Sequence, residues 1–367
     1  GNPGRCVQRA GPWRLKCIYP PPTDMNVAQT VVLALDVHGG DGGVEVSLPA
    51  AIAALDENPQ LRIILVGHQA EIESQLEHRQ VAVGDRIEIR SASSILANDA
   101  KPTAVIRRGK DSSMWNAFAL VADGHAHACV SAGSTAAMMV LGARLIGMLP
   151  GVERPALLAY VPTMRGSTGL LDVGANLNVS ANQLVQFAVM GAVTARNVDG
   201  LDQPVIGLLN VGHEDSKGHE TVRKAHEILN ELPLNYVGFI EGNDLFEGKV
   251  DVAVCDGFAG NLVLKSSEGL ARMLMSEVKG ALQENVLSKL GAALVAPSLR
   301  RLLARRDPSA HNGAPLLGLK GVAVKSHGSA DRQGLTQAIL EAGREVRRQV
   351  PQRIGNSIHE YHLETQS

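Results

Sequence analysis

The sequence predicts an α/β fold: a three-layer α/β/α arrangement around a doubly wound, mostly parallel sheet, with one helical pair departing from it. Two observations predict it. From Val31 onward, short β-branched or aliphatic runs alternate with longer helix-like stretches, and six strand ends run directly into small-residue turns that open the next segment. The composition agrees, because 3% aromatic content, two tryptophans and 38 glycines suit tight βα turns better than a β-sandwich or a stacking platform for single-stranded nucleic acid.

Taken in order, the first strand candidate is the apolar run Val31 to Asp36, closed by an acid and by the turn "HGGDGG". A helix over Val46 to Asp56 follows, then the aliphatic strand Arg62 to Val66, a helix over Ala70 to Glu77 and the β-branched strand Ile87 to Arg90. Met114 to Ala122 reads as a helix, Ala128 to Val130 as a short buried strand and Thr135 to Ile146 as the helix after it. Two strands, Ala156 to Val161 and Gly169 to Val173, precede the helix Ala181 to Thr194. Next come the strand Val205 to Val211, the helix His219 to Glu231, and the strands Tyr236 to Ile240 and Val250 to Cys255. The last pair is the strand Gly321 to Lys325 and the helix Leu335 to Gln349.

One segment departs from the alternation. Asn261 to Arg306 is helix-like throughout, with Pro297 as its only break. Leu270, Leu274, Val278 and Leu282 fall at helical spacing, as do Leu290 and Leu294, while Leu299, Leu302 and Leu303 lie beside Arg300, Arg301, Arg305 and Arg306. The plain reading is a helical pair packed on the core or at a dimer interface; the sharper one is a basic amphipathic element on a membrane surface.

Residues 1–24 are Pro/Gly/Arg-rich without an apolar core, so they read as a disordered extension or a remnant ahead of a start at Met25. Residues 25–350 form one large domain, with 262–306 as the helical excursion and 351–367 as a C-terminal tail. A balance of 35 basic against 37 acidic residues, net −2, gives no global attraction to nucleic acid. Cys6, Cys17, Cys129 and Cys255 show no C-x-x-C or metal-like spacing, which points to a reducing, cytoplasmic setting. No run of about 18 apolar residues predicts a membrane span.

The six turns are Asp36 to Asp41, Ser131 to Thr135, Asp172 to Asn176, Asn210 to Gly218, Asp256 to Asn261 and His327 to Ser329. Gathered on one sheet edge they would make an anion pocket, because open backbone N–H groups at helix starts and glycine turns face the ligand. Lys217 and Lys265 are the candidate cations and Asn261 an uncharged donor, with Asp256 orienting them. The expected lining is Asp36, His38, Gly39, Gly40, Asp41, Ser131, Gly133, Ser134, Thr135, Asn176, Asn210, Gly257, Gly260, His327, Gly328 and Ser329. Carboxylates repel an anion, so Asp36, Asp41 and Asp256 are read as orienting amides, lysines or His38. The glycine spacings of the dinucleotide fold, the P-loop and the nucleophile elbow are all absent. Cys255 reads as a small buried hydrophobe, and His213-Glu214-Asp215 with His219 as a solvated loop; no metal and no cofactor are expected.

Taken together, "LDVHGGDGG", "RRGKDSSM", "SAGSTAAMM", "LLDVGAN", "GLLNVGHEDSKGHE", "FIEGNDL", "DVAVCDGFAGNLVLKSSEG" and "VKSHGSAD" resemble the ordered motif series of the bacterial phosphate acyltransferase (PlsX) family, in register from about Val31 to about Val350. The resemblance implies a fold like that of phosphate acetyltransferases and isocitrate dehydrogenases. It implies transfer of a fatty acyl group from acyl carrier protein to inorganic phosphate, giving acyl phosphate for phosphatidic acid synthesis. It also implies a homodimer in the cytoplasm, loosely associated with the membrane, whose product feeds a membrane glycerol-phosphate acyltransferase. The carrier protein is acidic, so Arg107, Arg108 and Lys110 are a candidate docking patch and Arg300, Arg301, Arg305 and Arg306 a second. The chain departs from the family at His38, at Ser134-Thr135-Ala136 and at His213. The alternatives are a phosphate acetyl- or butyryltransferase using coenzyme A thioesters, a decarboxylating dehydrogenase of similar architecture, and a non-catalytic scaffold of lipid synthesis.

Overall fold

The computed structural model describes residues 29–97, 102–305, 312–361 and 363. In chain order the first half is β1 (Val31–Asp36), α1 (Gly43–Glu57), β2 (Leu61–Gly67), α2 (Gln69–His78), β3 (Ile87–Ser91), α3 (Pro102–Arg108), α4 (Ser113–Ala122), β4 (Ala128–Ser131) and α5 (Thr135–Leu141), which runs into a π turn over Gly142–Ile146. The second half is β5 (Ala156–Thr163), β6 (Gly166–Leu171), α6 (Ala181–Asn197), β7 (Ile206–Leu209), α7 (Glu220–Glu231), β8 (Tyr236–Ile240), α8 (Gly242–Glu247), β9 (Val252–Val254), α9 (Gly257–Gln283), α10 (Val286–Arg305), β10 (Ala314–Leu317), β11 (Val322–Lys325), α11 (Arg332–Arg347) and α12 (Val350–Glu360).

The described strands form one sheet in the order β3-β2-β1-β4-β11-β10-β5-β6-β9-β7-β8. Its pairings are parallel except for β10 with β11, β10 with β5, and β5 with β6. Those three reversals divide the sheet into two blocks. β1 to β4 and β11 run one way, and β6 to β9 run the other. The carboxyl ends of the two blocks therefore lie on opposite edges. This polarity positions the site.

Each block is covered by helices on both faces. In the first, Leu48 and Ala51 of α1 and Leu335 and Ile339 of α11 pack on Leu33 and Leu35 of β1. On the other face, Phe118 of α4 and Met138 and Leu141 of α5 cover Ala34, Cys129 and Ala323. In the second block, Phe187 and Val189 of α6 and Ile354 and Ile358 of α12 close over Leu208 and Val252. Phe118 and Phe187 are fully buried, and such side chains each contribute about 2–3 kcal/mol by leaving water.

The structure corrects the sequence reading in several places. The segment after residue 350 is no tail in its first part: Val350, Ile354 and Ile358 recur every fourth residue and bury one face of α12 against α6. The helical excursion breaks at Glu284–Asn285, between α9 and α10, and Pro297 lies inside α10. Strand β10 was not foreseen, because four residues beside glycine carry almost no periodicity, and neither were α3 and α8. The strand expected at Gly169 to Val173 lies over Gly166–Leu171, in a hairpin with β5. Along α9 and α10, Leu270, Leu274, Leu287, Leu290 and Leu294 are exposed. Arg306 and residues 1–24 lie outside the described residues, as do the side chains of Arg300, Arg301 and Arg305. No helix among the described residues is long and apolar enough to cross a membrane.

Candidate functional site

The turns after β1, β4 and β11 pack on one another as a first wall. The buried Asp36 carboxylate accepts from Ser131 Oγ at 2.7 Å and from the His38 N–H at 3.3 Å, while Ser131 Oγ accepts from the Gly133 N–H at 3.0 Å. Burial pushes the Asp36 carboxyl up, and the hydrogen bonds from Ser113, Ser131 and His38 oppose that shift. The Asp41 N–H donates to Gly328 O at 2.8 Å, and the Ser326 N–H to Ser131 O at 2.9 Å. Gly40 sits at φ +78°, and a Cβ there would lie 2.6 Å from Gly328 O, so this glycine serves turn-on-turn packing. Gly39, Gly40, Ser131 and Gly133 thus build the wall from behind, and Ser134 caps α5.

The turns after β6 and β9 form a second wall. Asp172 Oδ1 accepts from the Leu157 N–H at 2.8 Å, and Oδ2 accepts from the Asn176 N–H at 2.6 Å and from Asn176 Nδ2 at 3.0 Å. Burial pushes Asp172 up to about 6 against those bonds. Asn176 Nδ2 also reaches Pro155 O at 2.8 Å, and the Gly257 N–H donates to Asn176 O at 2.7 Å. Gly260 lies so close to Asp172 O that a Cβ there would collide with it. Asp256, expected near the chemistry, caps α9 by accepting from the Ala259 N–H at 2.7 Å.

Helix α9 starts at the second wall and reaches the first. Between them is a cavity of about 1430 Å³. Its lining includes the polar Thr135, Asn261, Lys265, Lys325, His327 and Ser329 and the apolar Leu157, Val161, Pro162, Phe246, Leu262 and Leu274. Lys265 Nζ donates to Glu268 Oε2 at 2.9 Å and lies 3.3 Å from His327 Nε2. His327 Nδ1 lies 2.9 Å from Ser329 Oγ. Burial, and then Lys265, hold the His327 ring below its ordinary value.

Lys325 is the residue that the sequence reading missed. Its Nζ donates to Ala132 O at 3.1 Å and to Ser326 O, and burial, reinforced by Lys265, pushes it down to about 8. A signal existed: a lysine ends an apolar strand two residues before the His327 turn.

Lys217 is not brought into the cavity. The turn after β7 lies on the opposite-running block, packed on β8 through the Asn210 N–H to Ile240 O bond at 2.8 Å. Asn210 Nδ2 braces it by donating to Lys217 O at 3.2 Å, and Lys217 is exposed. His213 of the same loop is held 3.0 Å from Phe239 O and 3.2 Å from Asp244 Oδ2.

His38, His68 and Glu71 are the one group among the described residues whose ligand atoms converge as a metal site would require. His38 Nε2, however, accepts from the His68 N–H at 2.9 Å, which engages the lone pair a metal would need. Cys255 is buried, its thiol pushed well up by burial. Arg107 and Lys110 are exposed beside α3, which packs on α5; the side chain of Arg108 lies outside the described residues.

The family described as fatty acid synthesis protein matches residues 31–353. The phosphate acyltransferase of Methylococcus capsulatus is 45% identical over 323 residues, covering 88% of this chain and 95% of its own. That of Caulobacter vibrioides is 47% identical over 318 residues, covering 86% and 88%. Among solved structures, a phosphotransacetylase from Streptococcus pyogenes superposes with a TM-score of 0.60 at 18% identity over 87% of this chain and 95% of its own. A branched-chain phosphotransacylase from Enterococcus faecalis V583 gives 0.56 at 15% identity, over 86% and 99%. These two show the fold.

Proposed function

The chain belongs to the phosphate acyltransferase family and is an acyltransferase, and from that premise we propose that it moves a fatty acyl group from the thioester of acyl carrier protein to inorganic phosphate. The observation that carries this reading is the lining of one cavity, which sets two lysines, Lys265 and Lys325, in the same space as a set of apolar side chains. Phosphate is an anion and a fatty acyl chain is an oil. A single space that offers both environments suits their reaction.

Phosphate near neutral pH is already a nucleophile, and a thiolate is a fair leaving group. The protein therefore has to supply a dry anion site, a carbonyl held about 3 Å from a phosphate oxygen, and donors for the oxyanion. In this reading Lys265 and Lys325 bind phosphate, with Ser329 and Thr135 beside them. Asn261, one helical turn before Lys265, faces the thioester oxygen. The apolar side chains of the lining, among them Leu157, Val161, Phe246 and Leu274, take the acyl chain. Asp36 and Asp172 hold the two walls and touch neither substrate.

Arg107, Arg108 and Lys110 are the proposed docking patch for the acidic carrier, since α3 packs on the helix whose first residue, Thr135, lines the cavity. A homodimer, and loose membrane contact through the exposed leucines of α9 and α10, would place the product near a membrane glycerol-phosphate acyltransferase. The test is direct: supply long-chain acyl carrier protein and phosphate, then trap acyl phosphate with hydroxylamine. A hydroxamate is expected. Its absence, with turnover of acetyl-coenzyme A and phosphate, would overturn the proposed donor.

A further inference from the structure

We propose that His327 is the proton-transfer residue of this cavity, taking a proton from the attacking phosphate and passing it to the departing thiolate; this rests on the reaction read above. Two competing donors, Lys265 at Nε2 and the Ser329 N–H at Nδ1, set the state of the ring. Lys265 is an ammonium, which donates and never accepts, and its Nζ lies 3.3 Å from His327 Nε2. Nε2 must therefore carry a lone pair. The proton then sits on Nδ1, where Ser329 Oγ at 2.9 Å accepts it. The Ser329 N–H donates to Nδ1 at 3.2 Å and competes for the opposite tautomer; the charge-assisted bond from Lys265 to Nε2 is the stronger of the two and sets the ring.

The charged groups that face the ring come from three elements. Lys265 and Glu268 project from α9, Lys325 ends β11, and Asp41 closes the β1 turn. The two lysines and burial outweigh the two carboxylates, so the ring stays neutral around pH 7 and its free lone pair points at a cation assigned to phosphate. When phosphate takes that lysine's hydrogen bond, Nε2 is left facing the phosphate.

The step balances without any further reactant. An oxygen of HPO₄²⁻ forms the bond to the thioester carbon while Nε2 accepts the phosphate proton. The tetrahedral adduct then collapses, the C–S bond breaks with its electron pair on sulfur, and the imidazolium returns the proton to the thiolate. Acyl phosphate, free carrier thiol and a neutral ring result. Ser329 holds the tautomer throughout.

Two measurements test this on the full chain. In ¹⁵N-labelled protein without substrate, Nδ1 is expected to carry the proton and Nε2 to be bare; a ring protonated at Nε2 overturns the proposal. In turnover with acyl carrier protein and phosphate, His327→Gln is expected to lower kcat about 10²-fold, the scale of general acid–base catalysis, with the phosphate KM within about twofold of wild type. The ratio of wild-type to variant rate cancels phosphate's own ionisation. It is expected to fall toward acid pH as the wild-type ring charges, at a pH that burial and Lys265 hold below the ordinary histidine value. In His327→Ala, added imidazole is expected to restore part of the rate. An unimpaired kcat in His327→Gln, or a rise confined to the phosphate KM, overturns the assignment while the acyl-transfer reading survives. A wild type that makes no acyl phosphate from any thioester sinks that reading first.

Discussion

In the block of β1 to β4 and β11, the turns pack together at the strand ends and still present Lys325, His327 and Ser329 to the cavity. In the block of β6 to β9, the strand ends lie on the other edge, and it is α9 that brings Lys265 back across the space. Both blocks use the same local grammar of strand, small-residue turn and helix. What separates them is polarity. The rule that ligands gather at the carboxyl ends of strands covers the β4, β11, β6 and β9 turns, which wall this cavity, and leaves out the β7 turn.

The largest expected effect tests this difference with two lysines that look alike in the sequence. Lys265→Met is expected to reduce kcat/KM for phosphate by about 10²–10³-fold, the scale on which a single preorganised donor acts. Lys217→Met, on the far edge and exposed, is expected to change it less than about threefold. Steady-state kinetics with varied phosphate reads both. Equal losses would mean that the β7 turn reaches the site and that the edges are not distinct.

A second contrast sets the two buried carboxylates against each other. Asp172 accepts three hydrogen bonds from the backbone and side chain of the second wall. Asp172→Asn turns an amide N–H toward one of those donors, at an expected cost of about 2–4 kcal/mol in denaturant unfolding. The pH dependence carries a definite sign. Burial raises the folded value from 3.8 to about 6, so between those values the folded state holds a proton that the unfolded state has lost. This group's contribution to stability therefore falls as pH rises through that window and is level above it. The variant is expected to lose that slope. A slope unchanged in Asp172→Asn would assign it to another group, with Asp36, the raised carboxyl of the first wall, next in line.

These contrasts show where the sequence was legible. Periodicity found β1, β2, β4 and most helices, because apolar spacing records which face is buried. It carried no sign for direction: the runs 206–209 and 31–36 read alike, although one points each way. The motif series located the turns, and within them Ser131 and Asn176 bond to other segments, Asp256 caps α9 and Gly260 packs against Asp172 O. The partners of Ser131, Asn176 and Gly260 are distant in the chain, so no local pattern announces them, whereas Asp256 caps the residue three positions on. Lys325 was passed over because it reads as the last residue of a strand. Helix α12 carries no side-chain cap, its N-cap being Gln349 in the left-handed region, although its apolar spacing is plain.

The smallest expected effect uses the same two edges at long range. Arg107 and Lys110 are exposed on the first block's side, next to α3. Solvent-exposed charges act weakly one at a time and are screened by salt within about 10 Å at 0.1 M. Reversing both, as Arg107→Glu with Lys110→Glu, is therefore expected to weaken carrier-protein binding about 5–10-fold at low salt, with little difference remaining near 0.5 M. The phosphate KM is expected to stay put. Lys217→Glu changes the protein's charge in the same direction but on the opposite edge. If that change weakens binding as much per charge as the double reversal does, the carrier responds to total charge and the patch has no special place. If only the α3 pair matters, the carrier approaches the edge where Thr135, His327 and Lys325 meet the cavity, and the thioester arrives from the side where phosphate is held.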